Sequence, residues 1–446
     1  MNYPQAVQRV RQTPKANYAI AFVTALVAPV LLFFELARDN SRAFKHWTIV
    51  LLVTIYGSTM VIQEAQDGYR HQLAVTLIYA DMPFSMFMAE LWKILTFQVT
   101  EIGVRDVYRH VLSYLIGGVL QMPQLFFPVV AMIYGYFFGG ALLEVFKDFS
   151  WKRANYVILG FIVVFLLIKN VEGINTVRTW TGFWMLMYGC LKYHSTGQKK
   201  YLIWVFITPL IHVAYFAMAI PAVLVLLLGN RITLYSILFV ASSFTTFINP
   251  GDTRALLERT ELGQQQARGY FREDRAETME VLQAQLARGD VRWYRAFERA
   301  QVHKWALNVL VYALLLAGIY QAVMTTYQQR IFSIGLLTMT MSNSVWFLYA
   351  LSNRTAVIGT MFILAAYIMS RLDPKTALAF KRSPQYYRWG IHLSLLLYFP
   401  FCLWALSTFL DFPSFFNFIF PFYVWFDPEA NLSVKEALRW LFLGDP

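Results

Sequence analysis

The chain has 446 residues, 58% of them hydrophobic and only 14% charged, with a mean hydropathy of +0.46. That balance excludes an ordinary soluble domain and marks a polytopic, all-α membrane protein, because many apolar runs are long enough to cross a bilayer. The net charge of +12 belongs to basic loops that orient membrane helices and not to a nucleic-acid partner, while Cys190 and Cys402 lie in apolar runs with neither metal-ligand spacing nor a disulfide framework.

Met1 to Ala16 is polar and basic, without the apolar core and cleavage site of a signal peptide. The first span is expected at Asn17 to Ala37 and the second at Trp47 to Gln63, separated by a basic turn with Arg38, Arg42 and Lys45. Between residues 64 and 122 the apolar residues recur at helical spacing between charges, which predicts helices lying in the interface together with a loop. Spans follow at Gln124 to Phe146, Tyr156 to Lys169 and Asn175 to Lys192, the last ending in a basic turn at Lys199 and Lys200. Tyr201 to Gly229 is too long for one span and short for two; Pro209 and Pro221 predict two broken or tilted segments with His212 near the turn. A span from Asn230 and Arg231 to Ile248 leads into residues 249–303, the only long polar segment, where nine Arg face nine Asp plus Glu at helical spacing, as in a solvated helical hairpin. Four spans complete a count of about twelve: Trp305 to Thr325, Ile331 to Leu351, Thr355 to Ser370 and Trp389 to Leu410. The aromatic tail, residues 411–446, reads as an interfacial mat.

The basic loops at Lys147 to Arg153, Lys199 to Lys200 and Arg371 to Arg388 should be cytoplasmic. Counting spans from them puts Asp67, Arg70, Arg178, His212 and Arg354 together at the outer leaflet. Charge inside apolar helices is expensive, so Arg178, His212 and Arg354 need a reason to be there. Asn175 or Thr176 is expected to cap the helix that Arg178 opens, and Ser352 or Asn353 the helix that Arg354 opens. An arginine at a helix start either snorkels to the interface or completes a seat for a phosphate. His212 is the candidate general base, or a histidine hydrogen-bonded between helices. Asp67 is the second candidate base, or only the partner of Arg70 in an i, i+3 pair, and Arg70 is a further diphosphate ligand. His71, His110 and His303 read as interfacial surface residues. No nucleotide loop, HExxH, Ser elbow or Cys/His metal spacing is present, so neither cofactor nor metal is expected. An outward site with several cations fits a lipid-linked anionic substrate.

Asp67-Gly68-Tyr69 after the second span, Asn175-Thr176-Val177-Arg178 opening the central helix, Leu210-Ile211-His212 and Asn353-Arg354-Thr355-Ala356 together resemble the EpsG family within the Wzy-like polysaccharide polymerases. The resemblance runs from Asn17 to about Leu410, with Gln63-Glu64-Ala65-Gln66 standing where the family usually carries Arg-Gly-x-Gly. It implies a GT-C-like helical glycosyltransferase in the bacterial cytoplasmic membrane, facing the periplasm or exterior. The enzyme would polymerise undecaprenyl-diphosphate-linked repeat units into an exopolysaccharide, capsule or O-antigen. Its partners would be the glycan donor and acceptor, membrane lipids, and the flippase and chain-length regulators of the same pathway. Two alternatives stay open: a flippase or transporter of a lipid-linked anionic glycan, and an O-antigen-ligase-like transferase.

Overall fold

The computed structural model describes residues 18–38, 40–64, 66–151, 154–244, 259, 302–415, 420–421 and 432–444. Among them every element is helical, apart from one antiparallel bridge between Ser414 and Ser433. Helices of seven residues or more are α1 (Tyr18–Val27), α2 (Arg42–Thr59), α3 (Asp67–Ala74), α4 (Phe84–Leu95), α5 (Val107–Ser113), α6 (Phe126–Val145), α7 (Tyr156–Ile168) and α8 (Thr179–Thr196). They continue as α9 (Ile220–Leu228), α10 (Ile232–Ser242), α11 (Val302–Leu316), α12 (Thr326–Ser344), α13 (Tyr349–Leu372), α14 (Pro374–Lys381), α15 (Gln385–Phe409) and α16 (Val434–Leu443).

Among the described residues, four helical stretches are long and apolar enough to cross a membrane: Pro123–Val145, Tyr156–Thr176, Ala350–Leu372 and Gln385–Phe409. Shorter apolar helices occur at Tyr18–Val27, Tyr215–Leu228, Ile232–Ser242 and Val302–Leu316. The outer surface carries large apolar side chains such as Leu227, Leu316, Trp389 and Leu396, as a lipid-facing surface requires. The expected polar hairpin at 249–303 lies outside the described residues except for Arg259, Val302 and His303, as does much of the 411–446 tail.

Helix α8 is the axis of the bundle. Every residue from Thr179 to Leu191 is buried, so the helix has no solvent or lipid face over that length and must be surrounded. Helices α6 and α12 pack on it; α2 lies against α6, and α13 against α12 and α7. Small residues permit the closest of these approaches. A Cβ on Gly57 would stand 2.9 Å from the Phe127 carbonyl oxygen of α6, and one on Gly335 3.0 Å from the Gly359 carbonyl oxygen of α13. Aromatic side chains fill the space between, with Trp184 edge-on to Phe138 at 4.8 Å and Phe161 edge-on to Tyr367 at 5.1 Å.

The stretch read as interfacial forms a separate layer over one end of α8. Helix α3 runs into a π turn at Val75–Tyr79 and α5 into another at Tyr114–Val119. The two π turns meet at Gly117, where a Cβ would come within 2.6 Å of the Val75 carbonyl oxygen, so α3 and α5 are locked side by side. Beyond α8, Tyr201 to Gly229 is broken near its prolines, but into four helical pieces and not the two expected: Leu202–Phe206, Thr208–Ile211, Tyr215–Met218 and α9.

Candidate functional site

His212 occupies the break between the one-turn helices Thr208–Ile211 and Tyr215–Met218, in extended conformation at φ −154°. Its partner comes from the layer above. Asp106 stands at the N-cap position of α5 yet does not cap that helix; its fully buried carboxylate turns instead toward the bundle. One carboxylate oxygen accepts from His212 Nδ1 at 2.9 Å and from the Val213 amide at 2.8 Å, and the other pairs with the Arg178 guanidinium. Arg354 Nη1 donates to His212 Nε2 at 3.3 Å. The result is a continuous polar chain Arg354, His212, Asp106, Arg178 drawn from four separate segments.

Burial pushes the Asp106 carboxyl up, but the His212 hydrogen bond and the Arg178 charge outweigh it and hold the group well below the usual carboxylate range. An ionised carboxylate only accepts, so His212 carries its proton on Nδ1 and presents the Nε2 lone pair. In the resting arrangement Arg354 covers that lone pair.

A polar cavity of about 260 Å³ adjoins this chain. Arg70, Arg109, Arg178 and Arg354 line it, with Asp67, His71 and the first residues of α8, Thr179 and Trp180. Four guanidinium groups face two carboxylates, counting Asp106, so the cavity has an excess of positive charge. The N-terminal amides of α8 add partial positive charge. Two buried nitrogens here have no hydrogen-bond partner among the described residues, His71 Nδ1 and Arg109 Nε. Burial, with Arg109 and Arg178 nearby, pushes His71 down to about 3, so it is neutral at ordinary pH. Burial and the neighbouring Arg178 also lower Arg109. The unpaired Arg109 Nε–H donor, and His71 Nδ1 in the tautomer that protonates it, give a positive cavity the chemistry of an anion seat.

The positioning of Arg178 is deliberate in the backbone. Val177 has φ +58°, a conformation that β-branched residues rarely adopt, and its side chain is fully buried. This kink joins the 3₁₀ turn Val171–Thr176 to α8 and turns Arg178, the N-cap residue, toward Asp106. Tyr134 fixes the turn from behind, donating to the Asn170 carbonyl at 2.6 Å while accepting from Trp184 Nε1 at 2.7 Å. Tyr215 donates to the Thr179 carbonyl at 2.7 Å and so ties the His212 break to the start of α8. Lys169 stacks over the cavity-lining Trp180 at 4.3 Å.

All five residues singled out from the sequence therefore come to one place: Asp67, Arg70, Arg178 and Arg354 on the cavity wall, and His212 against Arg354. Asp67 and Arg70 are at the exposed mouth, 3.9 Å apart, in the loose i, i+3 pairing that their spacing allows. Three local expectations are corrected. Asn175 does not cap α8; its side-chain oxygen accepts from the Gly68 amide at 2.9 Å and so anchors the start of α3. Arg354 does not open its helix but is the sixth residue of α13, which begins at Tyr349. His71 and His110 are buried, the latter held between Tyr79 Oη at 2.9 Å and the Phe87 carbonyl at 3.0 Å.

Asp106, Arg109 and the role of His71 escaped sequence reasoning. They lie in a stretch already rich in charge, where no single ionisable residue stands out against an apolar background. The one local signal was aspartate directly before a helical run, which normally reads as a cap.

No protein-family model matches the chain, and neither a curated protein nor a solved structure does.

Proposed function

We propose that the protein is a glycosyltransferase that polymerises lipid-linked oligosaccharide repeat units, transferring a glycan from undecaprenyl diphosphate to a sugar hydroxyl. The observation that carries the reading is the buried Asp106–His212 pair beside a cavity with four arginines. In this reaction the bond from the anomeric carbon to the diphosphate oxygen breaks, and a bond from the acceptor oxygen to that carbon forms. Arg178, Arg354, Arg109 and, at the mouth, Arg70 receive the diphosphate, whose negative charge grows as it leaves. Arginine suits the task because its planar fork meets phosphate oxygens in pairs. His212 Nε2 takes the acceptor proton, and Asp106 stabilises the imidazolium that results.

The two roles are coupled through Arg354. While it donates to His212 Nε2 the base is masked; a diphosphate that draws Arg354 toward itself uncovers the lone pair. Donor binding thus prepares the base, which disfavours proton abstraction before a leaving group is present.

The rest of the reading follows the resemblance: about twelve crossings, a GT-C-like architecture, a bacterial cytoplasmic membrane with the site facing the periplasm or exterior, and an exopolysaccharide, capsule or O-antigen as product. A ligase-like enzyme would share the donor half of this site. One feature favours a second reading as a transporter, since the unwound break at His212 resembles the discontinuous helices that hold substrates there.

The test is to incubate the purified protein with undecaprenyl-diphosphate-linked repeat units, without nucleotide or metal, comparing wild type with Arg178→Ala. A ladder of longer glycans that is lost in the variant is the expected result. Movement of the lipid-linked glycan across a vesicle membrane, with no ladder, would sink the enzyme reading in favour of transport.

A further inference from the structure

A second and larger cavity, about 1020 Å³, lies between α10, α11, α12 and the start of α13. Its size is at the upper limit of the usual range for small-molecule pockets, about 300–1,000 Å³. Trp305 on α11 and Trp346 in the turn before α13 stand on its wall, the two residues 65% and 58% exposed, and Tyr312 adds a third aromatic face. Asn308, Asn343 and Lys304 supply the polar groups. Lys304 donates to Asn353 at 3.1 Å and Asn343 to Ser242 at 3.1 Å, but the side-chain oxygen of Asn308 is buried with no partner among the described residues.

We propose that this cleft binds the sugar chain of the glycan substrate by stacking and hydrogen bonding, separately from the diphosphate seat. A pyranose has an apolar C–H face bordered by hydroxyls. Its face packs on an indole, its hydroxyls meet asparagine and serine, and a hydroxyl is the donor that the Asn308 oxygen lacks. An acyl chain would fill the volume but leave that oxygen unpaired, at a cost of about 1–3 kcal/mol. Among the described residues a diphosphate would find only Lys304 as a cation, already engaged with Asn353.

The cleft is next to the anion cavity. Ser352 lines the former and Arg354 the latter, and residues two apart on a helix point about 200° from one another, so the first turns of α13 form the wall between the two. Ser352 lies only three residues inside the start of α13, about 4.5 Å of rise, so a sugar chain in the cleft reaches the Arg354 side by crossing the helix end. The inference deepens the polymerase reading and rests on it for the identity of the chain.

The experiment applies labelled full-length protein in phospholipid nanodiscs, where no sugar-headed detergent competes, to an array of lipid-free bacterial oligosaccharides. The wild type should bind a class of them; Trp346→Ala and Trp305→Ala should each weaken that binding roughly tenfold or more. Both residues are exposed, so these variants keep the fold. Trp346→Ala should still bind inorganic diphosphate. Loss of diphosphate binding in the wild type with glycan binding intact would defeat the active-site reading alone. No array binding, binding indifferent to both tryptophans, or protection of Trp346 from quenching by phospholipid only would overturn the cleft.

Discussion

Asp106 accepts from a histidine, an arginine and a backbone amide at once, which makes it the residue on which the rest depend. Removing one member of a buried ion pair leaves the other charge uncompensated, at a cost of about 3–5 kcal/mol. Asp106→Asn keeps the shape and loses the charge, so thermal unfolding should fall by that order. Polymer synthesis should fall about 10²–10⁴-fold, the contribution of a positioned base. A variant that is destabilised but fully active would remove His212 from the chemistry. His71 gives a pH prediction. Its native pKa of about 3 is below the unfolded value of 6.5, so the unfolded chain takes the proton first. The stability that comes from neutral His71 is complete above pH 6.5, declines as pH falls, and is gone below about 3. Melting curves of His71→Gln should therefore depend less on pH in that window than those of the wild type. Inorganic diphosphate should protect the wild type against acid, because a bound anion makes imidazolium acceptable in the cavity.

At the scale of elements, the start of α8 carries the clearest structural commitment. Replacing an ordinary buried valine by glycine costs more than replacing it by alanine, by about 0.5–1 kcal/mol, because glycine loses more backbone freedom. At φ +58° the order should reverse, since only glycine adopts that conformation without strain. Val177→Gly should thus be at least as stable as Val177→Ala in detergent unfolding. Both should bind diphosphate more weakly, because Arg178 is no longer held by the kink. If alanine proves clearly the better substitute, the backbone there is not strained. The broken segment around His212 has the opposite logic. Its proline-initiated turns leave backbone groups without helical partners, and Asp106 satisfies one of them at the Val213 amide. A break in a helix thereby becomes the docking point for the layer formed by α3, α4 and α5.

For the whole molecule, α8 sets the scale. Its 18 residues rise about 27 Å, close to the roughly 30 Å thickness of a bilayer's hydrocarbon core. Arg178 and the Lys199–Lys200 turn stand at opposite ends of this helix, and the proposed topology puts them on opposite sides of the membrane. Arg70→Cys and Trp346→Cys, made in a Cys190→Ser, Cys402→Ser background, should react with an impermeant maleimide from the same side of sealed vesicles. Lys200→Cys should react only from the other side. Labelling of Arg70→Cys and Trp346→Cys from opposite faces would separate the anion cavity from the proposed sugar cleft and defeat both readings together.

Composition and apolar run length by themselves determined that the chain is helical and suited to a membrane, because exposing so much apolar surface to water is unfavourable whatever the fold. They also exposed Arg178, His212 and Arg354, since a charge is conspicuous where nearly every neighbour is apolar. Proline positions announced the break around His212. Only the tertiary structure decided what those residues meet. Asp106 is 106 residues from His212 and 72 from Arg178, and nothing in a local pattern encodes a contact that forms when one layer of helices closes over another. The same holds for Asn175, which a local rule assigns to its own helix and which instead holds Gly68 across the interface. Local spacing fixes which side chains share a face, whereas the partner of a buried charge is settled by packing, when desolvation makes every unpaired group costly.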